Sequence, residues 1–167
     1  MLTKNDFSSA DWNTLRDVPH LVGLATLVAG SSGLATVKES MALAQGIMEG
    51  QSSDVALVRD LTNRVEMQQA QSSVREALGS LDTKTSKDQL KNLALERVAV
   101  AMSLLEAKAS PVETSAVQQW VYGIAEKVAK SAREGGFLGF GGTQVSEEEQ
   151  AFLTELRKAL RTEVGAS

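Results

Sequence analysis

Ser110-Pro111-Val112-Glu113 is the clearest helix start in the chain, and the apolar residues after it, Val117, Trp120, Val121, Ile124 and Val128, recur at helical spacing. The serine hydroxyl suits an N-cap, and proline's fixed φ suits the first helical position. Glu113 completes a capping box by reaching back to the cap. The five apolar side chains share one face at a period near 3.6, which predicts a helix over 111–133. Lys127, Lys130 and Arg133 fall in its last turns, where cations suit the helix dipole.

The same signals recur on both sides. Ser146 with Glu149 predicts another box, and helix 147–162 then carries Phe152, Leu153, Leu156, Ala159 and Leu160 on one side. Upstream, Ser86 with Gln89 opens helix 87–108. Its wide apolar face, from Leu90 and Leu93 to Leu104 and Leu105, marks it for the centre of a bundle. Val55, Val58, Leu61 and Val65 form a stripe that continues on a rotated face as Met67, Val74 and Leu78. They predict one helix over 53–78, ended by Gly79, with its middle, Gln68 to Ser73, facing solvent.

Residues 18–37 contain no Lys, Arg, Asp or Glu. Gly30, Ser31, Ser32 and Gly33 divide them, so the expectation is two short buried helices near 19–29 and 33–49, with glycines letting helix backbones approach closely. Asp11 to Asp17 adds a turn or two anchored by Trp12, Leu15 and Val18, and Pro19 is expected to open the next element. Residues 1–10 read as a short tail. No segment alternates like a strand. The expected architecture is all-α: a single-domain bundle of five or six helices over 11–167, with Leu93, Val98, Leu104, Trp120, Val121 and Ile124 in its core.

Composition narrows the function classes. Of 167 residues, 43% are hydrophobic and only 4% aromatic, which suits a globular helical core built on Leu, Val and Ala. A net charge of −4 argues against nucleic acid and anionic membranes, both of which reward a basic surface. The chain has no cysteine, so it has neither disulfides nor thiolate chemistry. Met1 to Asp11 holds no signal-peptide apolar region. A cytoplasmic location is expected. Segment 18–37 nevertheless has the length of a membrane span, and a membrane-active protein using it is the alternative reading.

Little here points to catalysis, and no catalytic residue, cofactor or metal is expected. His20 is the only histidine. It follows Asp17 at the carboxylate-x-x-His spacing of di-iron bundles, but such sites need a second motif and two further glutamates. Glu39, Glu49, Asp60 and Glu66 read as charges on solvated helix faces. No Gly-x-Ser-x-Gly elbow occurs. The unusual segment is Gly135-Gly136-Phe137-Leu138-Gly139-Phe140-Gly141-Gly142. It lacks the lysine of a phosphate cradle, and residues 135–146 lack the carboxylates of a calcium loop. Phe137, Leu138 and Phe140 are therefore the candidate partner-binding residues, with burial as a plug at the end of the bundle as the structural alternative.

At Val145-Ser146-Glu147-Glu148-Glu149, followed by Phe152, Leu153 and Leu156, the chain resembles the second-helix start of TerB-like domains of tellurite-resistance proteins. The likeness covers residues 117–160 and implies a small bacterial all-α protein. TerB-like domains carry an acidic Ala-Asp-Gly loop where this chain has Gly-Phe-Leu-Gly-Phe-Gly-Gly, so no metal-related role carries over. The functional expectation is a non-enzymatic helical protein that binds another protein or its own copies.

Overall fold

The computed structural model describes residues 1–30, 37–80, 86–134 and 146–162. Every regular element among the described residues is helical. The α-helices are α1 (Ser9–Gly30), α2 (Val37–Glu49), α3 (Ala56–Leu61), α4 (Arg64–Gly79), α5 (Ser86–Lys108), α6 (Pro111–Glu134) and α7 (Glu147–Ala159). A short 3-10 turn at Lys4–Asp6 precedes α1, and another at Gly50–Ser52 lies between α2 and α3. The all-α expectation holds, with seven α-helices among the described residues where five or six were expected.

The starts of α6 and α7 follow their sequence signals atom by atom. Ser110 Oγ donates to Glu113 Oε2 at 2.8 Å, while the Glu113 amide donates back to Ser110 Oγ at 3.3 Å. In α7 the Ser146 amide donates to Glu149 Oε2 at 2.9 Å, and the Glu149 amide donates to Ser146 Oγ at 3.2 Å. Both boxes pair amides that have no partner inside the helix.

Pro19 does not open a helix, because α1 runs through it from Ser9 to Gly30. A proline in a helix interior costs about 3 kcal/mol through its missing N–H. Against that cost, Trp12, Leu15 and Val18 before it and Leu21, Val22 and Ala25 after it are all buried, each large side chain contributing about 1.5–3 kcal/mol. Uncharged almost all round beyond Asp17, α1 packs against α2, α4, α5, α6 and α7. It takes the central place that the sequence suggested for 87–108, since α5 keeps a solvent face with Glu96 and Arg97.

The helix expected over 53–78 is two helices. Asn63 Oδ1 accepts from the amides of Val65 and Glu66 at 3.0 and 3.1 Å and so caps α4. The break re-aims the chain, so that α3 buries Leu57, Val58 and Leu61 while α4 buries Glu66, Ala70 and Val74. Val65, expected in the stripe, is 58% exposed.

One cluster of buried residues draws on α1, α3, α4, α5, α6 and α7, with Met102, Leu105, Val121, Phe152, Leu156 and Leu160 among its members. Of the expected core, Val98, Val121 and Ile124 are buried, whereas Leu93, Leu104 and Trp120 are half-buried. The α5 face is phased on Leu90, Ala94, Val98, Ala101 and Leu105, which leaves Leu104 at its edge. Trp120 lies at a boundary because its indole N–H donates to the Gly46 carbonyl at 3.1 Å. Gly46 itself lets α2 settle on α6, for a Cβ there would stand 3.3 Å from the Ile124 Cα.

The first ten residues are tied down rather than trailing. Phe7 is buried against Trp12, with ring centroids 5.8 Å apart, and the Lys108 ammonium lies 5.6 Å over its ring. The Leu2 amide donates to Glu113 Oε1 at 2.7 Å, and Lys4 Nζ lies 2.6 Å from Glu66 Oε1. These contacts carry the chain start across α4, α5 and α6.

Candidate functional site

Phe137, Leu138 and Phe140, the contact residues expected from the sequence, lie outside the described residues. The helix ends that flank them are placed. Lys130 and Ser131 in the last turns of α6 line a groove of about 540 Å³ whose other wall is α2, with Lys38, Met41 and Gln45.

The helix α2 has two unlike faces. Ala42, Gly46 and Ile47 are buried, and the helix packs chiefly on α6 and also on α1. Facing outward are Val37, Met41, Ala44 and Met48, with Val37 77%, Met41 57% and Met48 52% exposed. Their spacing of four, three and four places them in one stripe along the helix. Sequence reasoning took 33–49 as a buried helix and so missed this face. The available signal was the repeat of apolar residues on both sides of the helix, where one side suffices for burial. Along one flank stand Lys38, Lys127 and Lys130. Lys127 is paired with Glu49, while Lys38 and Lys130 have no ion pair among the described residues.

On the other flank of α2 lies a second cleft of about 390 Å³, floored by α1 and walled by α2 and α4. Leu24, Leu43, Ile47, Met48, Met67 and Leu78 make it apolar, and Ser40, Gln71 and Arg75 stand with them. His20 also lines it, with only 8% of its surface exposed. Burial lowers the His20 pKa to about 4, with Asp17 pulling it up and Arg16 pushing it down, so the imidazole is neutral at pH 7.

The Asp17–His20 spacing does not build a metal site. Asp17 Oδ1 accepts from Arg16 Nε at 2.8 Å, and its Oδ2 accepts from Ser73 Oγ at 2.6 Å. Among the described residues no group of three or more His, Asp or Glu gathers where it would hold a metal ion. The carboxylates read as solvated charges divide instead. Glu49 is exposed, but Glu39 and Glu66 are buried. Glu66 survives burial because Trp12 Nε1 donates to its Oε2 at 2.9 Å and Lys4 to its Oε1 at 2.6 Å, with Arg16 3.9 Å away. Burial alone would raise its pKa, but these hydrogen bonds and charges hold it below the usual carboxylate value. This is a structural network joining α1 to α4, with Arg16 Nη1 also donating to Gln69 at 3.0 Å.

No helix among the described residues is long and apolar enough to cross a membrane. Within the uncharged segment, Val18, Leu21, Val22, Ala25 and Leu27 are buried against the rest of the protein. No family model, curated protein or solved structure matches the chain.

Proposed function

We propose that this protein is a non-enzymatic helical binding module, working in the cytoplasm without a cofactor, that engages another protein as one domain. The observation that carries this reading is the outward stripe of α2: Val37, Met41, Ala44 and Met48 at helical spacing, exposed on a helix already anchored by its other face. Contiguous exposed apolar residues with a polar margin are what a partner helix covers. Lys38 and Lys130 on the flank favour a partner helix with acidic residues along that edge. Phe137, Leu138 and Phe140 are proposed as a second contact, since their segment leaves α6 only four residues after Ser131, which lines the same groove. The TerB-like character of residues 117–160 would then describe the α6–α7 scaffold alone.

The test compares wild type, Met41→Asp/Met48→Asp and Phe137→Ala/Phe140→Ala by affinity capture and by sedimentation velocity. Capture that depends on the α2 residues supports the reading. Sedimentation separates the second case, because a dimer abolished by the same variant makes the partner another copy. If neither variant alters either measurement, the α2 face is not a docking surface and the proposal fails.

A further inference from the structure

The cleft between α2 and α4, which shares Ala44 and Met48 with the α2 stripe, is recessed, and it contains a polar group that no described residue hydrogen-bonds. Buried polar side chains elsewhere are satisfied: Trp12 and Arg16 by Glu66 and its neighbours, Thr26 by the Val22 carbonyl at 2.8 Å, Thr62 by the Val58 carbonyl at 2.9 Å. His20 neither donates nor accepts a hydrogen bond among the described residues, although more than nine-tenths of it is buried. Its polar atoms are not fully enclosed, and the side chain lines the cleft. A neutral imidazole so placed offers one donor and one acceptor to whatever enters.

The charge of the cleft is equally selective. Among the described residues Arg75 is its one charged lining residue, and it has no carboxylate partner there. Gln71 stands one turn before it on the same face of α4, and Ser40 faces from α2. Among the described residues no Asp or Glu lines the cleft, so a cation finds no counter-charge from them. A polyanion would need more than one positive group. What complements these walls is one negative charge on an apolar body. The volume of about 390 Å³ lies within the usual range of small-molecule pockets, which are apolar with a few convergent polar groups.

We infer that the α2–α4 cleft binds an amphiphilic monocarboxylate of fatty-acid type, its chain against Leu24, Leu43, Ile47 and Leu78 and its carboxylate shared by the Arg75 guanidinium and the His20 N–H. This goes beyond the protein-binding reading and stands without it, because most of the lining belongs to α1, α4 and the inner side of α2.

Dodecanoate is the probe, titrated into the full chain below its micelle concentration. Because His20 is the only histidine, the imidazole proton resonances report on the cleft without assignment. Dodecanoate should shift them saturably. Arg75→Gln should weaken dodecanoate by about tenfold, the size of one lost charged hydrogen bond, while leaving dodecanol affinity unchanged. Met67→Trp, which fills the cleft from the α4 side, should abolish both, with helicity and melting confirming that the variant folds. Unmoved imidazole resonances overturn the inference. So does dodecanoate binding indifferent to Arg75→Gln, and so does binding that survives Met67→Trp. None of these outcomes bears on whether Met41, which lies outside the cleft, docks a partner.

Discussion

His20 shows what burial does to a single ionisable group. Its pKa falls from 6.5 to about 4 on folding, so between those values the unfolded chain takes up a proton that the folded protein refuses. Stability is therefore full above about pH 6.5, declines as the pH falls through this window, and levels off below about 4. From pH 7 to pH 5 the loss from this one residue should be about 2 kcal/mol. Urea midpoints at the two pH values test it: wild type should lose that much, and His20→Asn should be nearly flat. Equal slopes would show that the imidazole is not desolvated as the structure has it. Glu66 and Glu113 act lower down. Hydrogen bonds from the Leu2 and Ser110 amides and from the Ser110 hydroxyl hold Glu113 below the usual carboxylate value, while the Lys4 and Trp12 hydrogen bonds outweigh desolvation at Glu66. The stability that both contribute is present above about pH 4.5 and is lost as the pH falls through their lowered folded values.

Among the helices, the informative one is α4, whose start depends on a single side chain. Asn63 bridges two otherwise unpaired amides, and Thr62 before it is tied back to the Val58 and Arg59 carbonyls. Asn63→Ala should cost about 1 kcal/mol, measured as a lower urea midpoint with an unchanged slope. No change would mean that packing of α3 and α4 against the bundle, and not the cap, sets the break. The shift of apolar phase between Val65 and Met67 was visible in the sequence. Asn63 was visible too, with Glu66 three residues on as in the Ser110 and Ser146 boxes, but the Glu66 carboxylate turns to Trp12 and Lys4 instead of back to the cap. In α1 the opposite occurred: a strong local break signal, Pro19, was overridden by apolar residues on both sides of it.

For the molecule as a whole, the chain start acts as a clasp across helices that are distant in sequence. Phe7 fills a place against Trp12, and Lys108 beside it donates to the Asp6 carbonyl at 3.0 Å. Phe7→Ala should destabilise the protein by about 3 kcal/mol, read from chemical denaturation. A loss below about 0.5 kcal/mol, the level of an exposed site, would return residues 1–10 to the status of a tail.

Legible from residue order are the features closed within a turn or two of helix. These are the Ser110 and Ser146 boxes, the extents of α5 and α6, the start of α7 (which ends at Ala159 and not at 162), and the buried faces of Trp12, Leu15 and Val18 and of Phe152, Leu153 and Leu156. Their hydrogen bonds and spacings span three or four residues, so one sequence carries the whole cause. The tertiary structure alone decided the continuity of α1, the central place of that helix, the burial of Arg16 and Glu66, the outward face of α2 and the cleft above His20. Each depends on partners far along the chain: Glu66 lies 54 residues from Trp12 and 62 from Lys4, and Glu113 lies 111 from Leu2. Local pattern reports which side chains are apolar or charged. It cannot report which of them meet, and for a buried charge or an uncovered apolar stripe the meeting sets the energy.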